Sequence, residues 1–169
     1  MSIHVRPATR ADLPGILAIY NDAVLTTTAS YDYEPSTLAE RAAWYDAHEK
    51  DDMPVFVAVG DAGEIVGWSS LSWFRPRWGY RFTVEDSVYV AADRRGQGIG
   101  RLLMVPVVAA ARERGKHSII AVIDAANDAS IRLHASFGFE QAAHFREVGY
   151  KFDRWLDLVF MQLLLDQPQ

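Results

Sequence analysis

The sequence predicts a mixed α/β fold in which a central sheet of about seven strands is flanked by about four helices. The main observation is the order of the predicted elements along the 169 residues, β-α-α-β-β-β-α-β-α-β-β. A second is a pair of capping boxes, Thr9–Asp12 and Thr37–Glu40, which mark helix starts. A third is the turn Asp61–Gly63 between two apolar runs, which predicts a β-hairpin. No repeat or linker divides the chain, so we expect one domain over residues 1–169.

The first half of the chain begins with a predicted strand, Ser2–Arg6, and continues with two helices. The first capping box has Asp in place of Glu, and apolar residues at helical spacing follow it. These residues are Leu13, Ile16, Leu17, Tyr20 and Val24. The second box begins a helix that carries Trp44 and Tyr45. The stretches PVFVAVG and EIVGWSSLSWF are the two strands of the hairpin.

The second half alternates strands and helices. A strand over Phe82–Val90 leads through a glycine-rich loop to a helix over 98–114. Pro106 lies inside that helix, where proline costs ~3 kcal/mol or more, so we expect a kink or a shift. The stretch HSIIAVID predicts a buried strand, and residues 128–137 predict a short helix that ends before Gly138. Two strands complete the chain, the last with the sequence RWLDLVFMQLLL.

Composition excludes several classes of protein. Half of the residues are hydrophobic, enough for a sizeable core, and the net charge of −5 argues against nucleic acid as the main partner. The absence of cysteine excludes disulfides, thiolate metal ligands and cysteine nucleophiles. The histidines are scattered, so we expect no metal site. No signal-peptide pattern and no apolar run of ~18 residues is present, so we expect a cytoplasmic protein without a membrane span.

The glycine loop RRGQGIG, residues 94–100, lies between a strand and a helix. Glycines bring backbone N–H groups close to a ligand, and a helix start adds unpaired N–H groups, so the loop suits a phosphate. A plain strand-to-helix turn is the alternative. A P-loop is excluded because Arg101 and Leu102 follow the last glycine, and a dinucleotide fingerprint is excluded by the glycine spacing.

The remaining pattern, R-x-x-G-x-G, resembles the pyrophosphate-binding motif of the GNAT superfamily of N-acetyltransferases. The resemblance covers nearly the whole chain and is closest to the phosphinothricin and methionine sulfoximine/methionine sulfone acetyltransferases. It depends on the stretches IYNDAV, TVEDSVYV, RRGQGIGRLLM, NDASIRLHASFGF and KFDRWLDLVFMQL. It implies the GNAT fold, acetyl-CoA as cosubstrate and a homodimer.

The resemblance assigns residues to the binding of acetyl-CoA. Val88, Tyr89 and Val90 would offer their backbone to the pantetheine arm if the neighbouring strand diverges there. The glycine loop would hold the pyrophosphate, and Asn127 would bond the pantetheine, although its place before a helix also suits a plain N-cap. The implied set is Val88, Tyr89, Val90, Arg95, Gly96, Gln97, Gly98, Ile99, Gly100, Arg101, Asn127 and Ser136.

Two residues are candidates for proton transfer. An amine arrives as an ammonium ion and must lose a proton before it attacks a thioester, and Glu85 could accept that proton directly or through water. A glutamate paired with a nearby arginine is the alternative. The resemblance implies that His134 protonates the departing thiolate, where many related enzymes use tyrosine. A histidine that only holds a local hydrogen bond is the alternative reading.

The arginine loop, FRPRWGYR at residues 74–81, is the candidate site for the acceptor. Arginine binds carboxylates through two parallel hydrogen bonds, so the loop suits an amino acid. The resemblance implies substrate contacts at Arg75, Pro76, Arg77, Glu85, Asp86 and Ser87. A solvated loop and a nucleic-acid site are the alternatives, the second weak in an acidic protein.

Together these observations predict direct transfer of an acetyl group from acetyl-CoA to the α-amino group of a small amino acid or analogue. Other acceptors remain open: a protein N-terminus, an aminoglycoside or a polyamine. A CoA-binding domain without catalysis is the alternative from another class.

Overall fold

The computed structural model describes residues 3–165. Seven strands and four helices follow one another as predicted, with three short 3₁₀ turns between them. The elements are β1 (His4–Pro7), α1 (Leu13–Thr26), α2 (Leu38–Lys50), β2 (Val55–Val59), β3 (Ile65–Trp73), β4 (Thr83–Val90), α3 (Ile99–Glu113), β5 (Ser118–Asp124), α4 (Asp128–Ala135), β6 (Glu140–Lys151) and β7 (Arg154–Leu164). The predicted fold class is therefore confirmed, while several ends shift by one to three residues. The predicted strand start at Ser2 lies outside the described residues.

The strands form one open sheet in the order β1-β2-β3-β4-β5-β7-β6. All neighbours are antiparallel except β4 and β5, which run parallel. The hairpin predicted around Asp61–Gly63 joins β2 to β3, with Val55 opposite Ser70. The sheet is thus mixed, as the element order indicated, and its one parallel pair lies at the centre.

Helices cover both faces of the sheet. Helices α1 and α2 pack on β2 and β3 around Ile16, Tyr45, Val57 and Trp68. Helix α3 covers the opposite face, where Leu103, Met104 and Val107 are fully buried. Helix α4 lies on the α3 side and contributes Ile131 and Leu133. The alternating side chains of the central strands therefore face two different helical layers.

Both capping boxes form, but the elements that follow them differ. At Thr37 the box is complete, because the Thr37 N–H donates to Glu40 Oε2 at 2.7 Å and the Glu40 N–H donates to Thr37 Oγ1 at 3.2 Å. At Thr9 the Asp12 carboxylate accepts the Thr9 N–H at 2.7 Å and also pairs with Arg6, which lowers the pKa of Asp12 to about 2. A 3₁₀ turn follows there, and α1 begins only at Leu13.

Pro106 does not interrupt α3, which remains helical from Ile99 to Glu113. The predicted helix therefore continues past the proline, and the kink expected there stays a prediction. The burial of the flanking Met104, Val107 and Val108 against the sheet holds the helix across the missing hydrogen bond.

Candidate active site along strand β4

Strand β4 is paired differently on its two edges. It pairs with β3 along its whole length, from Trp73 opposite Val84 to Gly67 opposite Val90. It pairs with β5 only over Thr83–Glu85 and then diverges. The backbone edge of residues 88–90 that faces β5 therefore has no strand partner, which is the opening predicted at this strand.

The glycine loop lies at the wide end of this opening. Gly96 and Gly98 have φ values of +75° and +80°, a left-handed conformation that only glycine adopts readily. No atom lies within 4 Å of a Cβ built on either glycine, so the space above the loop is open. Gly98 is the N-cap of α3, and the first helical bond runs from Leu102 N–H to Gly98 O. The N–H groups before Leu102 have no partner within the helix and suit an anion.

A cleft of about 660 Å³ connects this loop to β4 and to the start of α4. Most of the residues predicted to bind the cosubstrate line it. They are Val88, Tyr89, Val90, Arg95, Gly96, Gly98, Ile99, Gly100, Arg101 and Asn127. Gln97 and Ser136 lie outside its lining: Gln97 Nε2 donates to Asp93 O at 3.4 Å, and Ser136 Oγ donates to Leu133 O at 2.7 Å.

Asn127 is the N-cap of α4. Its Oδ1 accepts the Ser130 N–H at 3.1 Å, as the N-cap interpretation requires. Its Nδ2 donates no hydrogen bond within the described residues. Since Asn127 also lines the cleft, the same side chain can cap the helix and offer its amide donor to a ligand.

His134 and Asp86 form a buried pair on the α4 side of β4. Their Nε2 and Oδ2 atoms are 2.9 Å apart, and both side chains are almost fully buried. His134 Nδ1 lies 2.7 Å from Ser130 O, so that nitrogen must carry a proton. Burial lowers the pKa of His134, but the hydrogen bond and charge of Asp86, together with the Ser130 carbonyl, outweigh it and leave the pKa raised. The imidazole is therefore held in a fixed orientation and favoured in its charged form.

Glu85 points to the opposite face of β4, as the strand alternation requires. It is half-buried and has no ion pair within residues 3–165. Burial raises the pKa of Glu85, the Asp86 charge raises it further, and the Arg75 charge opposes this shift. A carboxyl group with a raised pKa is a stronger base than an ordinary glutamate, which suits removal of a proton from an ammonium ion.

Both candidate proton-transfer residues line a second cavity, of about 290 Å³, where β4 and β5 separate. This cavity shares Val88, Tyr89 and Asn127 with the cleft at the glycine loop. The two spaces are therefore neighbours along one strand, with Glu85 at the narrow end and the glycine loop at the wide end.

The arginine loop is solvent-exposed. Arg75, Pro76 and Arg77 are exposed and line none of the cavities along β4. Arg75 stacks on Phe74, with its Cζ 4.4 Å from the ring centroid, and its charge acts on Glu85. The structure thus places Arg75 beside the Glu85 end of the site without bringing the loop over it.

A third cavity, of about 480 Å³, lies between α2 and the sheet and is one that sequence reasoning missed. Arg41, Trp44, Trp68, Ser70 and Ser87 are among its lining residues. The sequence contains one indication of this cavity. Arg41 lies on the buried side of α2 with Tyr45 and His48, at positions i, i+4 and i+7. An arginine in an apolar stripe indicates a buried charge, but its surroundings depend on packing between distant segments.

Two features of residues 3–165 bear on other functions. No group of three or more His, Asp or Glu side chains there is arranged to hold a metal ion. None of the helices in this range is long and apolar enough to cross a membrane.

Comparison with known proteins identifies the family. The family model of the acetyltransferase (GNAT) family matches residues 16–139. The chain belongs to this family. It is 51% identical to an L-methionine sulfoximine/L-methionine sulfone acetyltransferase of Pseudomonas paraeruginosa over 98% of this chain and 96% of that protein. The predicted family and enzyme class, an N-acetyltransferase, are confirmed.

Solved structures agree on the fold. An acetyltransferase from Salmonella typhimurium, determined with its cofactor acetyl-CoA, superposes with a TM-score of 0.96 at 43% identity and covers 100% of this chain and 97% of its own. A ribosomal-protein-alanine N-acetyltransferase from Brucella melitensis superposes with a TM-score of 0.93 at 49% identity, covering 95% and 99%. The fold and the family are therefore common to relatives named for different acceptors.

Proposed function

We propose that this protein transfers the acetyl group of acetyl-CoA to the α-amino group of a small amino acid or analogue, such as methionine sulfone, methionine sulfoximine or phosphinothricin. One observation carries the proposal. A single strand, β4, borders the glycine-loop cleft, the cavity that contains Glu85 and the cavity beneath α2, and Tyr89 lines all three. The acetyl donor and the amine acceptor can therefore meet along one strand.

Acetyl-CoA fits the wide end of the opening. The pyrophosphate would bind at the start of α3, where Gly96 and Gly98 leave open space above unpaired N–H groups. The pantetheine arm would pair with the unpartnered edge of residues 88–90 in the manner of an added strand. The thioester would then lie near Val88, whose backbone N–H polarises the carbonyl.

The reaction follows from the charges around this point. Glu85 accepts a proton from the acceptor's ammonium group, directly or through a water molecule. The amine nitrogen bonds to the thioester carbon, the nitrogen loses its second proton to solvent, the carbon–sulfur bond breaks, and the CoA thiolate leaves. No covalent enzyme intermediate is needed, so both substrates are bound together.

His134 supplies the proton that the thiolate requires in this proposal. Its raised pKa favours the charged ring, which can donate a proton. Both ring nitrogens already have partners, at Asp86 and Ser130, so delivery requires one of these hydrogen bonds to open. Replacement of His134 by Gln, which keeps hydrogen bonding but cannot donate a proton as an acid, should lower kcat without changing the KM of acetyl-CoA.

A protein N-terminus is the second candidate acceptor. The relative named for ribosomal-protein alanine, at 49% identity, favours it. A free amino acid brings a carboxylate next to its amine, whereas a peptide has a neutral amide there. The exposed Arg75, whose charge acts on Glu85, therefore favours the free amino acid.

A thiol-release assay distinguishes these acceptors. Methionine sulfone, methionine sulfoximine, phosphinothricin, ordinary amino acids, a polyamine, an aminoglycoside and a peptide beginning with alanine would each be supplied with acetyl-CoA. We expect turnover of the free amino acids. If none is acetylated and the peptide is, the protein N-terminus replaces the amino acid as acceptor.

The proposal includes a homodimer, a cytoplasmic site of action and a role in resistance to inhibitory amino-acid analogues. Support for the dimer comes from exposed apolar side chains on β6, β7 and the turn between them. They are Phe145, Val148, Tyr150, Phe152 and Trp155. Such a patch is typical of an interface. Light scattering should give twice the chain mass, and a monomer at micromolar concentration would contradict this part.

A further inference from the structure

The cavity beneath α2 contains a buried arginine that lacks a counter-ion. Arg41 is 5% exposed and forms no ion pair within the described part of the chain. Its Nε has no hydrogen-bond partner. Aromatic rings surround the guanidinium, with Cζ 4.1 Å from the centroid of Tyr20, 4.7 Å from Trp44 and 5.7 Å from Trp68. A buried charge is normally paired, so an unpaired one in a cavity wall indicates a missing ligand group.

Other polar groups in the same wall also lack partners. Within residues 3–165, Trp68 Nε1 and His48 Nε2 are buried without a hydrogen-bond partner, and both residues line this cavity. His48 Nδ1 lies 2.8 Å from Trp44 O, so Nδ1 carries the proton and Nε2 is an acceptor. Burial lowers the pKa of His48, which keeps the ring neutral. The cavity therefore combines one fixed positive charge with neutral polar groups, and its serines add hydroxyls.

Carboxylates are present only at the rim. Asp32, Glu34 and Glu40 line the cavity but are exposed. Asp32 accepts a hydrogen bond from the Tyr20 hydroxyl, and Glu40 is held by the N-cap of α2. Exposed charges are screened by water, whereas the charge of Arg41 acts in a drier environment and decides what binds at the floor.

The position of Arg41 shows which part of an acceptor it can contact. On this face of the sheet, Ser72 is opposite Glu85, Ser70 is opposite Ser87 and Trp68 is opposite Tyr89. Ser72 and Trp68 are four residues apart on β3, which places Trp68 about 13 Å along the strand from the position of Glu85. An α-carboxylate shares its carbon with the amine and so stays near Glu85. A group at Arg41 must belong to the far end of the acceptor's side chain.

We propose that Arg41 binds the oxygen atoms at the end of the acceptor's side chain. This inference rests on the proposed function and assigns the cavity beneath α2 as the side-chain site. The chemistry selects side chains that end in strongly polarised oxygens, namely a sulfone, a sulfoximine or a phosphinate. It disfavours side chains that end in an ammonium group, because they would place two positive charges together in a buried site.

The test compares methionine sulfone with methionine, which differ only in the two oxygens. The wild-type protein should show the higher kcat/KM with the sulfone. Arg41→Met keeps an unbranched, flexible side chain but removes the guanidinium and its charge, and it should reduce the sulfone-to-methionine ratio by about ten- to a hundredfold. Arg41→Lys keeps the charge without the planar fork and should reduce the ratio by a smaller factor. The KM of acetyl-CoA should stay constant in both variants.

A matched control is Arg112→Lys, because Arg112 is exposed near the end of α3, outside every cavity along β4, and the ratio should not change. If the Arg41 variants lower kcat/KM for both acceptors by the same factor, or leave the ratio unchanged, the assignment of Arg41 is overturned. The same assay separates this result from failure of the proposed function. Failure of the function would appear as wild-type protein that acetylates no amino acid at all.

Discussion

The polar side chains on the two faces of β4 differ in whether they are paired within the protein. On the α4 face, Asp86 and His134 are buried together and joined at 2.9 Å. On the other face, neither Glu85 nor Arg41, which lines the separate cavity beneath α2, has an ion pair among residues 3–165. Polar groups that the protein pairs internally fix one another in place, whereas polar groups left unpaired are free for substrate. The alternation of a single strand thus places the paired His134, the proposed proton donor, on one face and the unpaired Glu85, the proposed base, on the other.

The largest expected effect comes from removal of the reactive carboxylate. Glu85→Gln keeps the size of the side chain but cannot accept a proton, so kcat should fall by roughly 10²–10⁴. Acetyl-CoA affinity, measured by calorimetry, should not change because Glu85 lies at the far end of the opening. An unchanged kcat would show that Glu85 is not the base and that its unpaired state has no role in the reaction.

The pH dependence of Glu85 gives a second view of the same group. The base acts when deprotonated, and its raised pKa means that it gains its proton at higher pH than an ordinary glutamate. The wild-type kcat should therefore decline on acidification with a midpoint above 4.5, the ordinary value for glutamate. A profile from pH 4 to 9, with the enzyme saturated by both substrates, would show the midpoint. A flat acid limb would contradict a titrating base at this position.

Removal of the charge on the α4 face should cost stability and also some kcat, because Asp86 orients His134, the proposed proton donor. Asp86→Asn breaks a buried pair and should lower the free energy of unfolding by roughly 3 kcal/mol. The direction in which this stabilisation changes with pH follows from His134, whose pKa in the folded protein is raised above its ordinary 6.5. The stabilisation is fully present below that value and is lost as the pH rises through the folded pKa. Urea unfolding at pH 6 and pH 9 should thus show a smaller difference between wild type and variant at pH 9.

A substitution of Arg75 tests whether the carboxylate of the acceptor binds beside Glu85. Arg75→Ala should raise the KM of the amino acid about tenfold, because a charged hydrogen bond to the carboxylate is lost. The KM of acetyl-CoA should remain within experimental error. Equal increases in both KM values would place Arg75 outside the acceptor site.

The smallest effect is expected at the glycine loop. Gly98→Ala forces a side chain into a left-handed conformation and costs about 1–2 kcal/mol, which should raise the KM of acetyl-CoA severalfold. Gly63→Ala is a matched control, because Gly63 has φ +84° and open space but lies in the β2–β3 hairpin. If both variants change the KM of acetyl-CoA equally, the effect is one of stability and not of the loop.

The elements could be predicted from sequence because their signals are local. Capping residues, helical spacing and the Asp61–Gly63 turn each lie within a few residues of what they specify. The glycine loop combined a local pattern with a known resemblance. The order of the elements followed, and the divergence of β5 after Glu85 agrees with what the resemblance implied.

The pairings between distant residues could not be predicted. His134 and Asp86 are 48 positions apart, and the sequence offered His134 as acid, base or structural residue with no partner. Arg41 meets Trp68 only because α2 packs over β3, so its role depends on tertiary contacts. Gln97 and Ser136 were assigned to the binding of acetyl-CoA by the resemblance alone. The structure places both outside the lining of the cleft at the glycine loop.

The most direct test of the central claim compares the two faces in one assay. Initial rates of thiol release from acetyl-CoA with saturating methionine sulfone would be measured for wild type, Glu85→Gln and Asp86→Asn, at a temperature where circular dichroism shows all three folded. We predict that Glu85→Gln loses at least tenfold more kcat than Asp86→Asn. Equal losses, or a larger loss in Asp86→Asn, would contradict the account in which Glu85 is the base and Asp86 only orients the proton donor His134.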